Sequence, residues 1–156
     1  MAWSCRLRPA SRADVPALAE LERDAFSDPW TADQLTEAFG WSGAIALVAE
    51  DESGITGYVL GRVVVDQAEI LSIATVTRCR RTGVGRTMLD AVLGAMVARG
   101  AGAVWLEVRV SNDAARRMYQ SAGFFPAGLR QDYYRQPPED ALVLRRELAD
   151  ARVGEP

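Results

Sequence analysis

Across one short loop the hydrophobic period of this chain switches from strand-like to helix-like, and that switch narrows the possible folds more than any other feature. Residues 69–76, Glu-Ile-Leu-Ser-Ile-Ala-Thr-Val, form an apolar run in which Ile, Thr and Val are β-branched. From Thr87 to Arg99, Met88, Leu89, Val92, Leu93, Met96 and Val97 fall on one helical stripe. Between the two lies Arg80-Arg-Thr-Gly-Val-Gly-Arg86. Glycines at 83 and 85 let a ligand come close to the backbone without Cβ interference. The free N–H groups and positive dipole end of a helix start make an anion site, and the arginines add charge. The unit therefore reads as a phosphate or pyrophosphate loop in an α/β (α+β) fold. The alternative is a plain glycine-containing helix start in an arginine-rich protein.

Two familiar phosphate motifs are excluded. A P-loop needs Lys, and all 18 basic residues here are Arg. A dinucleotide fingerprint needs a third glycine where Met88 stands.

The rest of the chain fits one domain of 156 residues with an ordinary core: 49% of residues are hydrophobic and 25% charged. A net charge of −3 argues against direct nucleic-acid binding. Arg78, Arg80, Arg81 and Arg86 form a local basic cluster, suited to one phosphorylated ligand or else to a solvated face. No apolar stretch is long enough to span a membrane, and the first residues lack an apolar signal core, so a cytoplasmic location is expected. Cys5 and Cys79 have no metal or redox spacing, and Cys79 reads as a passive thiol. With no His, catalysis by Ser-His-Asp or Cys-His is excluded, and no metal is expected. A general base must be a carboxylate, a Tyr or water.

The elements read in order as a strand over 4–9, a helix capped by Ser11 or Asp14 and running to about Asp24, and a short helix capped by Thr31. Strands follow over 44–50, 55–65 and 69–76, then a helix over 83–99 and a strand over 103–110. A helix capped by Asn112 or Asp113 precedes a weak strand over 124–132 and a clear one over 141–147. Residues 149–156 read as a frayed tail.

The spacing of Arg80, Gly83 and Gly85 resembles the acetyl-CoA pyrophosphate loop of the GCN5-related N-acetyltransferases (GNAT), and the order β-αα-βββ-α-β-α-ββ matches their topology over nearly the whole chain. The resemblance implies a single N-acetyltransferase domain over 1–156. Its sheet would be mixed, mostly antiparallel and seven-stranded, flanked by four helices, with strands four and five splayed around CoA. Leu106-Glu-Val-Arg109 and Tyr119-x-x-x-Gly-Phe124 closely resemble the ribosomal-protein-alanine N-acetyltransferases of the RimI branch. By that resemblance the backbone of Ile73, Ala74 and Thr75 would hold the pantetheine arm. Arg81, Thr82, Gly83, Val84, Gly85 and Arg86 would hold the pyrophosphate, and Asn112 would contact CoA. Thr75 departs from the commoner Val and Arg80 from the commoner Gln, and both tolerate a backbone role.

Glu107 sits in an apolar strand on the face shared with Trp105 and Arg109, opposite Val104, Leu106, Val108 and Val110. By resemblance it is the general base that deprotonates the acceptor amine, through water. A purely structural role would be an ion pair with an arginine, for which Arg109, on the same face two residues along, is the local candidate. Tyr119 lies beside a core stripe of Val110, Ala114 or Ala115, and Met118. It is either a core-edge aromatic or, by resemblance, the acid that protonates the leaving CoA thiolate. Phe26 and Trp30, between the first two helices, resemble the loop flanking the peptide groove in this family. Tyr133 and Tyr134, between the last two strands, resemble the tandem tyrosines that contact the substrate N-terminus. Loop packing is the alternative for both aromatic pairs.

Freeing an α-amine of its proton at pH 7 takes about 1 kcal/mol, against about 4.6 kcal/mol for Lys. One carboxylate therefore suits an N-terminal acceptor, and the RimI resemblance implies transfer of acetyl from acetyl-CoA to the N-terminal Ala of a ribosomal protein. The alternatives are a GNAT enzyme for lysine or a small amine, and a non-catalytic acyl-CoA-binding module. Oligomeric state is left open.

Overall fold

The computed structural model describes residues 5–148. The elements run β1 (Arg6–Pro9), α1 (Val15–Ala25), α2 (Ala32–Phe39), β2 (Ala44–Asp51), β3 (Gly54–Val64) and β4 (Gln67–Thr75). They continue α3 (Val84–Ala98), β5 (Ala103–Arg109), α4 (Asp113–Ser121), β6 (Phe125–Arg135) and β7 (Pro138–Glu147). The expected mixed α/β architecture, with seven strands and four helices, is what forms. The expected tail over 149–156 and the first residue of the expected strand at 4 lie outside the described residues.

One seven-stranded sheet has the order β1-β2-β3-β4-β5-β7-β6, and only β4 and β5 run parallel. Its faces carry separate cores. Val84, Met88, Leu89, Val92, Leu93 and Met96 of α3 are buried with Val59, Val104 and Leu106 on one side. Leu18, Leu21 and Leu35 of α1 and α2 pack with Val48, Tyr58 and Leu60 on the other. The stripe expected on α3 is thus the buried one, except that Val97 stays half-buried. Close approach of α3 depends on two glycines in β3. A Cβ on Gly57 would lie 2.8 Å from Met88 Cε, and one on Gly61 2.5 Å from Met96 Cε.

Local signals account for the helix starts. Thr31 Oγ1 accepts the Gln34 N–H at 3.2 Å while Gln34 Oε1 accepts the Thr31 N–H at 2.9 Å, a reciprocal cap on α2. Ahead of α1 the Asp14 carboxylate accepts the Ser11 N–H at 2.7 Å, and Pro16 stands in the first turn.

Three details differ from expectation. β5 ends at Arg109, and Val110, expected on the core face, is exposed. β6 and β7 are longer than their apolar runs because they pair with each other beyond β5, out to Arg135 and Pro138. Pro138 is tolerated as the first residue of its strand. In β4, Ser72 opposes Leu60 but Ile70 opposes Gly61, so Leu71 is an unopposed bulge. Ile70 faces α3, whereas Ser72 and Ala74 face α1. An alternation count along 69–76 misses that phase change.

Candidate active site

The parallel pairing of β4 with β5 covers only Gln67–Glu69 against Ala103–Trp105. Immediately past it comes the Leu71 bulge, which bends β4 away. β5 stays paired with β7 along its length, and β4 with β3 to Thr75. The facing edges of β4 from Ile70 and β5 from Leu106 therefore diverge, leaving backbone donors and acceptors without a strand partner. Between them lies a cavity of about 860 Å³, walled by Ile70–Thr75, Leu106–Arg109, the end of α1, the loop before α3, and α4. A peptide-like ligand that supplies strand-type hydrogen bonds fits this fork.

At one end of the cavity the chain turns from β4 into α3. Arg81 (φ 63°) and Gly83 (φ 95°) both adopt the left-handed region, and Gly83 caps α3. The first helical bond runs from the Thr87 N–H to Gly83 O at 3.0 Å. The N–H groups of Val84, Gly85 and Arg86 are thereby left for a ligand. Arg80, Arg81, Gly83, Gly85 and Arg86 all border the cavity. Thr82 and Val84 do not. The Thr82 hydroxyl donates to Cys79 O, and the Val84 side chain is buried in the α3 core, so either could serve a ligand only through its backbone. Arg78 leaves the basic cluster: its guanidinium donates to Asp51 Oδ2 at 3.1 Å. Arg86 is partly engaged, donating to Asp90 Oδ1 and Ser121 Oγ, each at 3.0 Å. Asn112 borders the cavity and caps α4, its Oδ1 accepting the Ala115 N–H at 3.2 Å.

Glu107 and Tyr119 both line the cavity. The Glu107 side chain is 24% exposed, and its partner is Arg130 of β6, with Nε 3.2 Å from Oε1. The ion pair with an arginine expected of a structural role is therefore present, but the arginine is Arg130 rather than Arg109, which is held elsewhere by Asp28 and Glu139. Tyr119 is the one buried residue of α4, packed edge-to-face on Phe124 with centroids 5.5 Å apart. It is therefore the core residue of its helix rather than a neighbour of the stripe. Burial, then the nearby Tyr134, pushes its phenol well above the usual range, so it keeps its proton across physiological pH. No hydrogen-bond partner holds its hydroxyl among the described residues.

The other end of the cavity carries the aromatic residues. Phe26 and Trp30 line it, and Trp30 packs edge-to-face on Trp41 at 6.2 Å. The tandem tyrosines lie within β6 rather than between strands. Tyr134 lines the cavity under the Arg109 guanidinium, 4.2 Å from its ring centroid. Burial, then Tyr133, pushes its phenol up to about 12. Tyr133 does not line the cavity. It packs edge-to-face on Tyr134, with centroids 5.0 Å apart, and is exposed.

A buried carboxylate borders the cavity that sequence reasoning missed. Glu22 of α1 is fully buried, accepting hydrogen bonds from the Tyr58 and Ser72 hydroxyls and from the Trp30 N–H at 3.2 Å. Burial, then the Glu22 charge, raises the Tyr58 phenol. The available signal was the spacing Val15, Leu18, Ala19, Glu22, which sets a carboxylate on the buried stripe.

A sequence model of the Acetyltransferase (GNAT) family matches residues 15–124, which include α1, the fork, the Gly83 loop and Tyr119. The chain belongs to that family. It is an acetyl-CoA-dependent N-acetyltransferase. Over 140 residues it is 34% identical to the [ribosomal protein bS18]-alanine N-acetyltransferase of Salmonella typhimurium, covering 86% of this chain and 91% of that one. Over 146 residues it is 36% identical to the N-alpha-acetyltransferase RimI of Mycobacterium tuberculosis, covering 90% of each. The crystal structure of the ribosomal-protein-S18-alanine N-acetyltransferase from Escherichia coli superposes with a TM-score of 0.87 at 27% identity, over 94% of this chain and 95% of that one. Among the described residues no helix is long and apolar enough to cross a membrane.

Proposed function

We propose that this acetyltransferase modifies the N-terminal α-amine of a protein, with an N-terminal Ala of a ribosomal protein as its acceptor. The carrying observation is the identity of 34% over 140 residues to an enzyme named for that acceptor, together with aromatic residues lining the cavity that also holds the half-buried Glu107 carboxylate. Deprotonating an α-amine at pH 7 takes about 1 kcal/mol, a modest demand for one carboxylate.

Acetyl-CoA supplies an activated thioester carbonyl. Ile73, Ala74 and Thr75 offer backbone groups to its pantetheine arm. The N–H groups of Val84, Gly85 and Arg86, with the Arg80 and Arg81 guanidiniums, offer positive charge to its pyrophosphate. Arg81, Thr82 and Gly83 shape the turn, and Asn112 borders the same space. Glu107 takes the amine proton through water, and Arg130 holds its carboxylate in place. Tyr119, kept protonated by burial, is the acid for the departing sulfur. Phe26, Trp30 and Tyr134 surround the acceptor's first residue, and Tyr133 supports Tyr134 from outside.

Incubating the enzyme with acetyl-CoA and a ribosomal-protein mixture, then mapping acetyl groups by peptide mass spectrometry, tests the reading. Acetylation of an Ala N-terminus is expected. Acetyl groups confined to lysine side chains would contradict it.

A further inference from the structure

Arg109 of β5 links two segments that are far apart in sequence. Its Nη2 donates to Asp28 Oδ2 at 2.7 Å, to Ser27 Oγ at 3.1 Å and to Gln136 O at 3.1 Å. Its Nη1 donates to Pro137 O at 3.0 Å and to Glu139 Oε1 at 3.2 Å. The Gln136 N–H also reaches Asp28 at 3.4 Å, so the α1–α2 loop and the β6–β7 turn meet directly. Glu139 is fixed in turn by the Ser111 N–H at 2.6 Å. The side chains of Arg109 and Asp28 are 19% and 34% exposed, which makes this pair better shielded than an ordinary surface bridge.

A cation here needs a reason. Arg109 lines the cavity two residues from Glu107 on the same strand face, where an incoming ammonium would be repelled by an uncompensated guanidinium. Asp28 and Glu139, two carboxylates against one guanidinium, more than offset that charge. What Arg109 adds is reach and geometry. Its planar fork engages a carboxylate from one loop and two carbonyls from the other at once, which an ammonium cannot reproduce.

We propose that Arg109 and Asp28 form a latch that positions the acceptor: by fastening the α1–α2 loop to the β6–β7 turn, they fix the width of the opening through which a protein N-terminus reaches Glu107. This rests on the acceptor reading above. Arg109 is a positioning residue, acting through the loops that carry Trp30 and Tyr134. The latch fastens the loop on the α1–α2 face of the sheet, whereas the Gly83 loop leads into α3 on the other face, so it governs the acceptor and leaves the cofactor alone. A fixed opening also favours a small first side chain, so a loosened one admits bulkier residues.

The test uses the full chain and the variants Asp28→Asn, Arg109→Lys and the double variant, with hexapeptides starting with Ala or Leu. Each single variant is expected to raise the Ala-peptide KM by about tenfold, the worth of one charge-assisted hydrogen bond, with the acetyl-CoA KM unchanged. The preference for Ala over Leu should shrink. The double variant should be no worse than the worse single one, since both break the same latch. Amide exchange, measured without acceptor, should rise together at 26–31 and 133–139 in Asp28→Asn. An unchanged acceptor KM in Asp28→Asn, additive effects in the double variant, or exchange rising in one loop alone would overturn the latch. Should the wild-type enzyme acetylate no N-terminal peptide, the acceptor reading fails by itself. The exchange measurement still decides whether the loops are latched. If Arg109→Lys does not fold, Asp28→Asn alone decides the outcome.

Discussion

The Gly83 end of the cavity is built from nearly consecutive residues, Ile73 to Arg86, and includes the helix start with the free N–H groups of Val84, Gly85 and Arg86. The aromatic end is assembled from three distant segments and presents side chains: Phe26 to Trp30, Arg109, and Tyr134. Arg109 meets Asp28 across 81 residues of sequence and Gln136 across 27. A backbone site is specified by where the chain bends and where glycine is needed. A side-chain site is specified by which residues the completed fold brings together. The first kind suits a ligand common to a whole family, and the second suits an acceptor that differs among its members.

The largest effect that would sharpen this contrast is at Glu107. Glu107→Gln should lower kcat by about 10²- to 10⁴-fold, with acetyl-CoA affinity kept. A variant with normal turnover would remove Glu107 from the chemistry. Tyr119→Phe should lower kcat by about 10²-fold while the fold is retained, because the ring still packs on Phe124. Wild-type turnover in that variant would leave Tyr119 a packing residue only.

Gly83→Val breaks the backbone end. At φ 95° a β-branched residue is strained by about 1–2 kcal/mol, so the turn should shift and the acetyl-CoA KM rise several-fold, with the acceptor KM little changed. Unchanged cofactor kinetics would sink the loop assignment.

The smallest effect lies outside the cavity. Hydrogen bonding from Arg8 holds the Asp14 carboxyl below its usual range, with Nη1 2.9 Å from Oδ2. A carboxylate with a lowered folded pKa stabilises the fold above its unfolded pKa of about 3.9, and that contribution is lost as pH falls through the folded value. Asp14→Asn should therefore lower the Tm at neutral pH and flatten the acid limb of the stability curve. Parallel wild-type and variant curves from pH 7 to pH 2 would show that the pair contributes nothing.

The same contrast explains what could be read from the sequence. The order of strands and helices and the α3 stripe were legible because each depends on local period and capping. The Gly83 turn was legible because its residues are adjacent. Leu71 was not, since a bulge shows only when β4 is paired against β3. Pairing of Glu107 with Arg109 was the reasonable local guess, yet Arg130 arrives from a strand two places away in the sheet. Tyr119 was placed beside the core because α4 is short and mostly polar, whereas its burial comes from Phe124 and the sheet beneath. Glu22 went unnoticed because its partners Tyr58 and Ser72 lie far along the chain from α1, on β3 and β4.

The central claim is that the aromatic end admits a protein N-terminus. It is tested most directly by acetyl-CoA turnover with two hexapeptides of matched sequence. One carries a free α-amine on Ala, and the other a blocked N-terminus and one internal Lys. Turnover with the first alone is the predicted result. Turnover with the second alone would contradict the claim, leaving the fold and the cofactor in place and the acceptor wrong.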